Sequence, residues 1–154
     1  MIVPGYSERL ENRVNEILNS ENRENLPVLY PGPGVLLDSV IWFKFLSDLS
    51  VAIPSILAEG WVHDWPTWRA IPDHFKERWF LQLARKRTWA RRYNFQVWTN
   101  FNLVARTVFR CQMRLLKRRW AHGGEKPAWM LTRVWRDLVH MFEEFGPDNF
   151  GFRN

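Results

Sequence analysis

Cationic side chains form the pattern in this sequence with the clearest chemical potential. Arg106, Arg110, Arg114 and Lys117 follow one another at steps of four, four and three residues, so a helix would place them on one face. Further cations lie beside or before them: Arg118, Arg85, Lys86, Arg87, Arg91 and Arg92. A guanidinium grips phosphate oxygens in pairs, so these residues predict a surface that binds the backbone of DNA. Entry of residues 106–114 into a major groove would add base readout, although the expected sequence preference is weak.

Residues that support catalysis or metal binding are scattered. A two-metal nuclease needs three converging carboxylates, whereas Asp73 and Glu77 are an isolated pair flanked by Lys76 and Arg78. Such a pair is typical of helix-dipole and ion-pair residues. Cys111 is the only cysteine, and the histidines show no metal-ligand spacing: His63, His74, His122 and His140. The sequence therefore predicts no enzyme activity, no catalytic residue, no metal site and no cofactor.

Charge divides the chain into two unequal parts. The 154 residues carry a formal net charge of +6. Residues 1–60 hold four Lys or Arg against eight Asp or Glu, and residues 61–154 hold eighteen against eight. A basic domain behind an acidic leader indicates a polyanionic partner, most simply DNA. Two alternatives stay open. The arginines keep the helix in water, or they pair with the glutamates of the leader: Glu8, Glu11, Glu16, Glu21 and Glu24.

One stretch must position the basic residues. Residues 94–122 contain neither proline nor glycine, and Gly123 follows as a helix-ending residue, which predicts one long helix. Its predicted buried stripe consists of Val97, Phe101, Val104, Val108, Cys111 and Leu115. In this arrangement Cys111 is a buried thiol that reacts slowly. The ten tryptophans favour an aromatic core, which we expect to contain Trp79, Trp98, Phe101, Val108, Leu115, Trp135 and Phe142.

Helices are also predicted before and after this stretch. Ser7 caps a short helix over residues 7–20, and Pro72 opens another that ends near residue 86. Prolines and glycines make residues 25–34 a linker. Residues 39–51 favour a helix over a strand, and Pro54 is expected to break it. A last helix begins at Thr132 and ends before Gly146.

The fold class follows from this order of elements. We expect an all-α protein: a compact helical domain around one long amphipathic basic helix, with a short N-terminal helical arm. Its parts are an acidic leader (1–60), a helical domain (61–146) and a tail (147–154). No apolar run reaches the length of a membrane span, and the N-terminus has no signal-peptide pattern. A nuclear or cytosolic location without a membrane partner is expected.

An ordered set of short motifs resembles a known family. The set is Trp68-x2-Ile71-Pro72, Lys76-Glu77-Arg78, Trp89, the long basic helix, Lys126-Pro127-x-Trp129-Met130 and Trp135-x2-Leu138. At these spacings, residues 65–145 resemble the transposase-associated domain of plant En/Spm-type (CACTA) transposons. The family usually continues past this domain, whereas this sequence ends in PDNFGFRN. The chain therefore resembles a truncated or domesticated derivative.

The resemblance implies an association with transposition and with DNA, in a domain that is not the nuclease. A protein-interaction module is the alternative from another class. In that case the transposon-derived domain binds no DNA, and its amphipathic first helix docks on a partner protein or on a second copy of the chain.

Overall fold

The described part of the chain forms five α-helices, and the fold class is all-α as the sequence predicts. The structure is a computed structural model that describes residues 5–29 and 49–145. Within these ranges the helices are α1 (Glu8–Leu18), α2 (Leu49–Glu59), α3 (Asp73–Lys86), α4 (Asn94–Ala121) and α5 (Thr132–Phe145). Short 3₁₀ helices at Trp68–Ala70 and Arg91–Tyr93 precede α3 and α4. None of the helices in the described ranges is long and apolar enough to cross a bilayer.

Local signals set the helix ends where the sequence predicts them. The Ser7 hydroxyl oxygen accepts a hydrogen bond from the backbone N–H of Leu10 at 3.1 Å and so caps α1. Pro72 directly precedes α3, whose first turn contains Asp73. Beyond the C-terminus of α4, Gly123 takes a left-handed φ of 72°, which glycine adopts without strain.

Pro54 does not end a helix, and this prediction was wrong. Within the described residues α2 begins at Leu49 and continues through Pro54 to Glu59. A proline inside a helix costs about 3 kcal/mol. Ile53, Ile56 and Leu57 are buried around it, and each contributes about 1.5–3 kcal/mol. The rest of the predicted segment 39–51, the linker residues 30–34 and the tail 147–154 lie outside the described residues.

Helix α1 packs on α3, so the described part of the acidic leader belongs to the same core. Leu10 and Val14 of α1 are buried against it. Beyond α1, the Arg23 guanidinium Nη2 donates to the carbonyls of Ala84 at 2.5 Å and Arg87 at 2.7 Å. These carbonyls close the C-terminal turn of α3, where unpaired acceptors attract a cation. Arg23 therefore fastens the leader to the end of α3.

A buried asparagine ties α1 to the start of α4. Asn94 Oδ1 accepts a hydrogen bond from the Trp89 indole N–H at 2.7 Å. Asn94 Nδ2 donates to Asn15 Oδ1 at 2.8 Å and to Glu11 Oε1 at 3.1 Å. A buried amide that lost these partners would cost about 1–3 kcal/mol. The network therefore fixes the point at which α4 begins.

Aromatic rings fill the centre of the fold. Trp61 stacks on Phe109 of α4 with ring centroids 4.7 Å apart. Trp79 of α3 lies between Trp65 at 5.8 Å and Trp68 at 6.0 Å. Of the predicted core residues, four are buried: Trp79, Trp98, Phe101 and Phe142. Val108 and Trp135 are half-buried.

The buried face of α4 is rotated from the predicted one. It follows a strict four-residue step through Val97, Phe101, Ala105, Phe109 and Met113. Leu115 is instead 52% exposed, and Cys111 is exposed. Both predictions were therefore wrong. A four-residue row winds obliquely around a helix, so the two halves of α4 turn different sides inward. The first half meets Phe80 of α3, and the second meets Trp61 and the Phe142 ring of α5.

The rotation gives a direct test with a thiol reagent. Because Cys111 is exposed, we expect a small aromatic disulfide to label it in the native protein within about tenfold of its rate in denaturant. Since the chain has no other cysteine, the signal reports this position alone. If Cys111 reacted more than about a hundredfold more slowly in the native protein than in denaturant, the thiol would be buried and the predicted rotation of α4 would be correct.

Candidate nucleic-acid interface

Four exposed arginines form an oblique row along the C-terminal half of α4, and the row winds by about 120° around the helix between its first and last members. Arg106, Arg110, Arg114 and Arg118 are all exposed and recur every four residues. Successive members lie about 6 Å apart along the helix axis, and the row is about 18 Å long. It runs parallel to the buried row and about a quarter turn from it, since each arginine directly follows a buried-row position. We call these four residues the basic row.

Lys117 does not belong to the basic row. The sequence placed it beside Arg114, but only 8% of Lys117 is exposed. It lies four residues after Met113 and so continues the buried row. A residue with so little exposed surface offers less area for a phosphate contact than the exposed arginines do. Arg118 takes the place that the sequence gave to Lys117.

Among the residues that the structure describes, no acid compensates the charge of the basic row. In the described ranges no carboxylate oxygen lies within 4.0 Å of a guanidinium nitrogen of the basic row. The leader glutamates do not neutralise it there, and Glu11 instead accepts a hydrogen bond from Asn94. Exposed cations without partners hold only water and counterions, which an anion can displace at little cost. The basic row is thus available to a polyanion.

The second predicted group of cations sits at the other end of α4. Arg85 and Lys86 close α3, and Arg91 and Arg92 form the 3₁₀ helix before Asn94. Of the five, Arg85, Arg91 and Arg92 are exposed, whereas Lys86 and Arg87 are half-buried. About 20 Å of helix separates Arg92 from Arg106. The structure therefore divides nine of the ten predicted binding residues into two groups, buries the tenth, Lys117, and does not bring the two groups into one patch.

Two arginines of the second group already make contacts within the fold. Arg87 Nη1 donates to the Lys86 carbonyl at 2.7 Å, and the Arg87 carbonyl accepts from Arg23. The Arg92 guanidinium donates to the Tyr93 hydroxyl at 3.2 Å and lies 4.7 Å from that ring's centroid. Such contacts orient a guanidinium and leave its outer face open. This group can supplement the basic row at a distance but has fewer free donors.

The described residues contain no candidate metal site. No three His, Cys, Asp or Glu side chains converge there in a way that could hold a metal ion. His63 packs edge-on against Trp65 and Phe75 at 5.4 and 5.7 Å. The His140 imidazole lies 3.9 Å from the Glu144 carboxylate at the surface of α5. These histidines have packing and surface roles.

Sequence reasoning missed an apolar surface beside the basic row. Leu115, expected in the core, is exposed, and Trp129 opposite it is 40% exposed. The sequence did contain a signal for the observed buried row of α4. Its Phe109 and Met113 are larger apolar residues than Val108 and Cys111 of the predicted row. The position of Trp129 had no comparable signal, since the turn after Gly123 decides it.

The residues that carry the family resemblance shape this region. Lys126 Nζ donates to the carbonyls of Pro127 at 3.2 Å and Met130 at 2.7 Å, which holds the turn into α5. Met130 is buried, and Trp129 packs on Trp61 at 5.7 Å. Compared with known proteins, the chain matches no family model, no curated protein and no solved structure.

Proposed function

We propose that this chain is a non-catalytic, transposon-derived DNA-binding protein whose basic row contacts the phosphate backbone. The proposal depends on one observation, the basic row. Its four exposed arginines are spaced by four residues along α4, and among the described residues no carboxylate lies beside them. The resemblance to a transposase-associated domain supports the same class of partner.

Arginine is well suited to this role. Its planar guanidinium binds two phosphate oxygens at once and is more weakly hydrated than an ammonium group. A rigid helix holds the four groups at fixed spacing, so little ordering is needed when they meet a duplex. Because the contacts are to phosphates, affinity depends little on base sequence. The exposed members of the second group, Arg85, Arg91 and Arg92, would add contacts farther along the DNA.

We do not favour the alternative, a protein-interaction module that docks through α1. The apolar face of α1 is covered by α3, with Leu10 and Val14 buried. A partner could use that face only if α1 left α3 and broke the Asn94 hydrogen bonds.

The salt dependence of binding tests the proposed function. We expect the purified chain to bind a random duplex at about 50 mM salt and, more weakly, at about 150 mM. Four phosphate contacts predict a slope of log affinity against log salt of about −3.6, and contacts from the second group make it steeper. Absence of binding at about 50 mM salt would reject the proposal.

A further inference from the structure

A second surface of α4 is apolar and uncovered in the described structure. Leu115 is 52% and Trp129 40% exposed, in a fold where most rings are buried. Two cavities, of about 230 and 410 Å³, open beside them, and both are lined by Gln112 and Trp129. The smaller reaches Leu57 and Trp61, and the larger reaches Leu116 and Pro127. We call the two cavities together the Trp129 groove.

The rim of the Trp129 groove is cationic. Arg118, Arg119 and His122 line the larger cavity, and no Asp or Glu lines either cavity. Arg119 Nε donates to the Glu125 carbonyl, which holds the guanidinium at the rim and leaves its positive charge uncompensated by a carboxylate there. An occupant that buries apolar side chains in this groove must therefore bring negative charge alongside them.

We propose that the Trp129 groove binds an acidic amphipathic helix of a partner protein. Two apolar cavities in succession accept side chains at positions such as i and i+4 or i+7 of one helix face. Carboxylates flanking that face would meet Arg118 and Arg119. Charge complementarity thus selects the partner's chemistry, and the apolar floor supplies most of the binding free energy. The inference is independent of DNA binding, although Arg118 belongs to both surfaces.

Two synthetic peptides with opposite charge test this proposal on the full chain. Each is a helix of about 15 residues, labelled with fluorescein, with the same Leu and Phe on one face and either Glu or Lys elsewhere. We expect anisotropy to give a dissociation constant on the order of 10 µM for the Glu peptide. The Lys peptide should bind at least about tenfold more weakly because it faces the cationic rim.

Variants of the groove must change peptide binding and leave the fold intact. Leu115→Glu places a carboxylate on the apolar wall and should weaken binding of the Glu peptide at least about tenfold. Leu103→Glu is the matched control, because Leu103 is a 38% exposed leucine of α4 that lines neither cavity. Arg118→Glu should reduce or reverse the preference for the Glu peptide, and it tests the rim if Leu115→Glu misfolds.

Three results would overturn the inference. The first is binding of neither peptide, which is also expected if another stretch of the same chain fills the groove. The second is equal affinity for both peptides, or affinity that neither Leu115→Glu nor Arg118→Glu changes. The third is a dimer in sedimentation equilibrium that Leu115→Glu dissociates, since a second copy would then be the occupant.

Discussion

Replacing Gly60 by alanine is expected to destabilise the protein by about 3 kcal/mol, the upper range for overpacking a core. A Cβ at Gly60 would lie 2.0 Å from Trp79 Nε1 and 2.9 Å from Trp79 Cδ1. The indole cannot move aside easily, because Trp79 is buried between Trp65 and Trp68. Either the turn after α2 or the ring must therefore shift, and both carry core contacts.

Urea unfolding followed by circular dichroism measures this loss as a lower midpoint at an unchanged slope. Gly123→Ala is the matched control, because no atom lies within 4 Å of its added Cβ and only the left-handed φ of 72° is strained. It should cost about 1 kcal/mol. Trp79→Ala lowers the starting stability but removes the ring that clashes, so it should make Gly60→Ala less costly in that background. A smaller loss for Gly60→Ala than for Gly123→Ala would show that Trp79 does not pack on Gly60.

Helix boundaries were predictable because they depend on nearby residues. Ser7 caps α1 through its own hydroxyl, and Gly123 ends α4 through its own backbone angle. Pro54 shows the limit of such local signals. Its cost is local, but the burial of Ile53, Ile56 and Leu57 that offsets it comes from distant parts of the chain.

The candidate surface was only partly predictable for the same reason. Exposure of Arg106, Arg110 and Arg114 followed from the predicted helix, since a run of arginines is too polar to bury. The choice between two apolar rows on α4 depends on where Trp61, Phe80 and Phe142 lie, and periodicity does not contain that information. The wrong row buried Cys111 and Leu115 and exposed Lys117. With that choice of row, the sequence showed no sign of the Trp129 groove. It also placed Lys117 on the exposed basic face, at the point where the structure has Arg118.

The largest expected effect on function comes from Arg106→Ala, Arg110→Ala and Arg114→Ala combined. Each arginine is exposed and without an acidic partner in the described ranges, so the helical fold should be retained. Loss of three phosphate contacts should flatten the salt slope by about 2.7. If each contact contributes about 1 kcal/mol, affinity for duplex DNA falls about a hundredfold.

A control variant that loses the same number of positive charges distinguishes direct contacts of the basic row from an effect of net charge. Arg9→Ala, Arg13→Ala and Arg136→Ala together also remove three positive charges, from exposed positions on α1 and α5. If long-range attraction alone drives binding, both triple variants lose affinity equally. If the basic row touches phosphates, the control keeps its salt slope within about one unit of the unchanged chain. Equal slopes in the two variants would reject the basic row as the contact surface, even if the protein binds DNA.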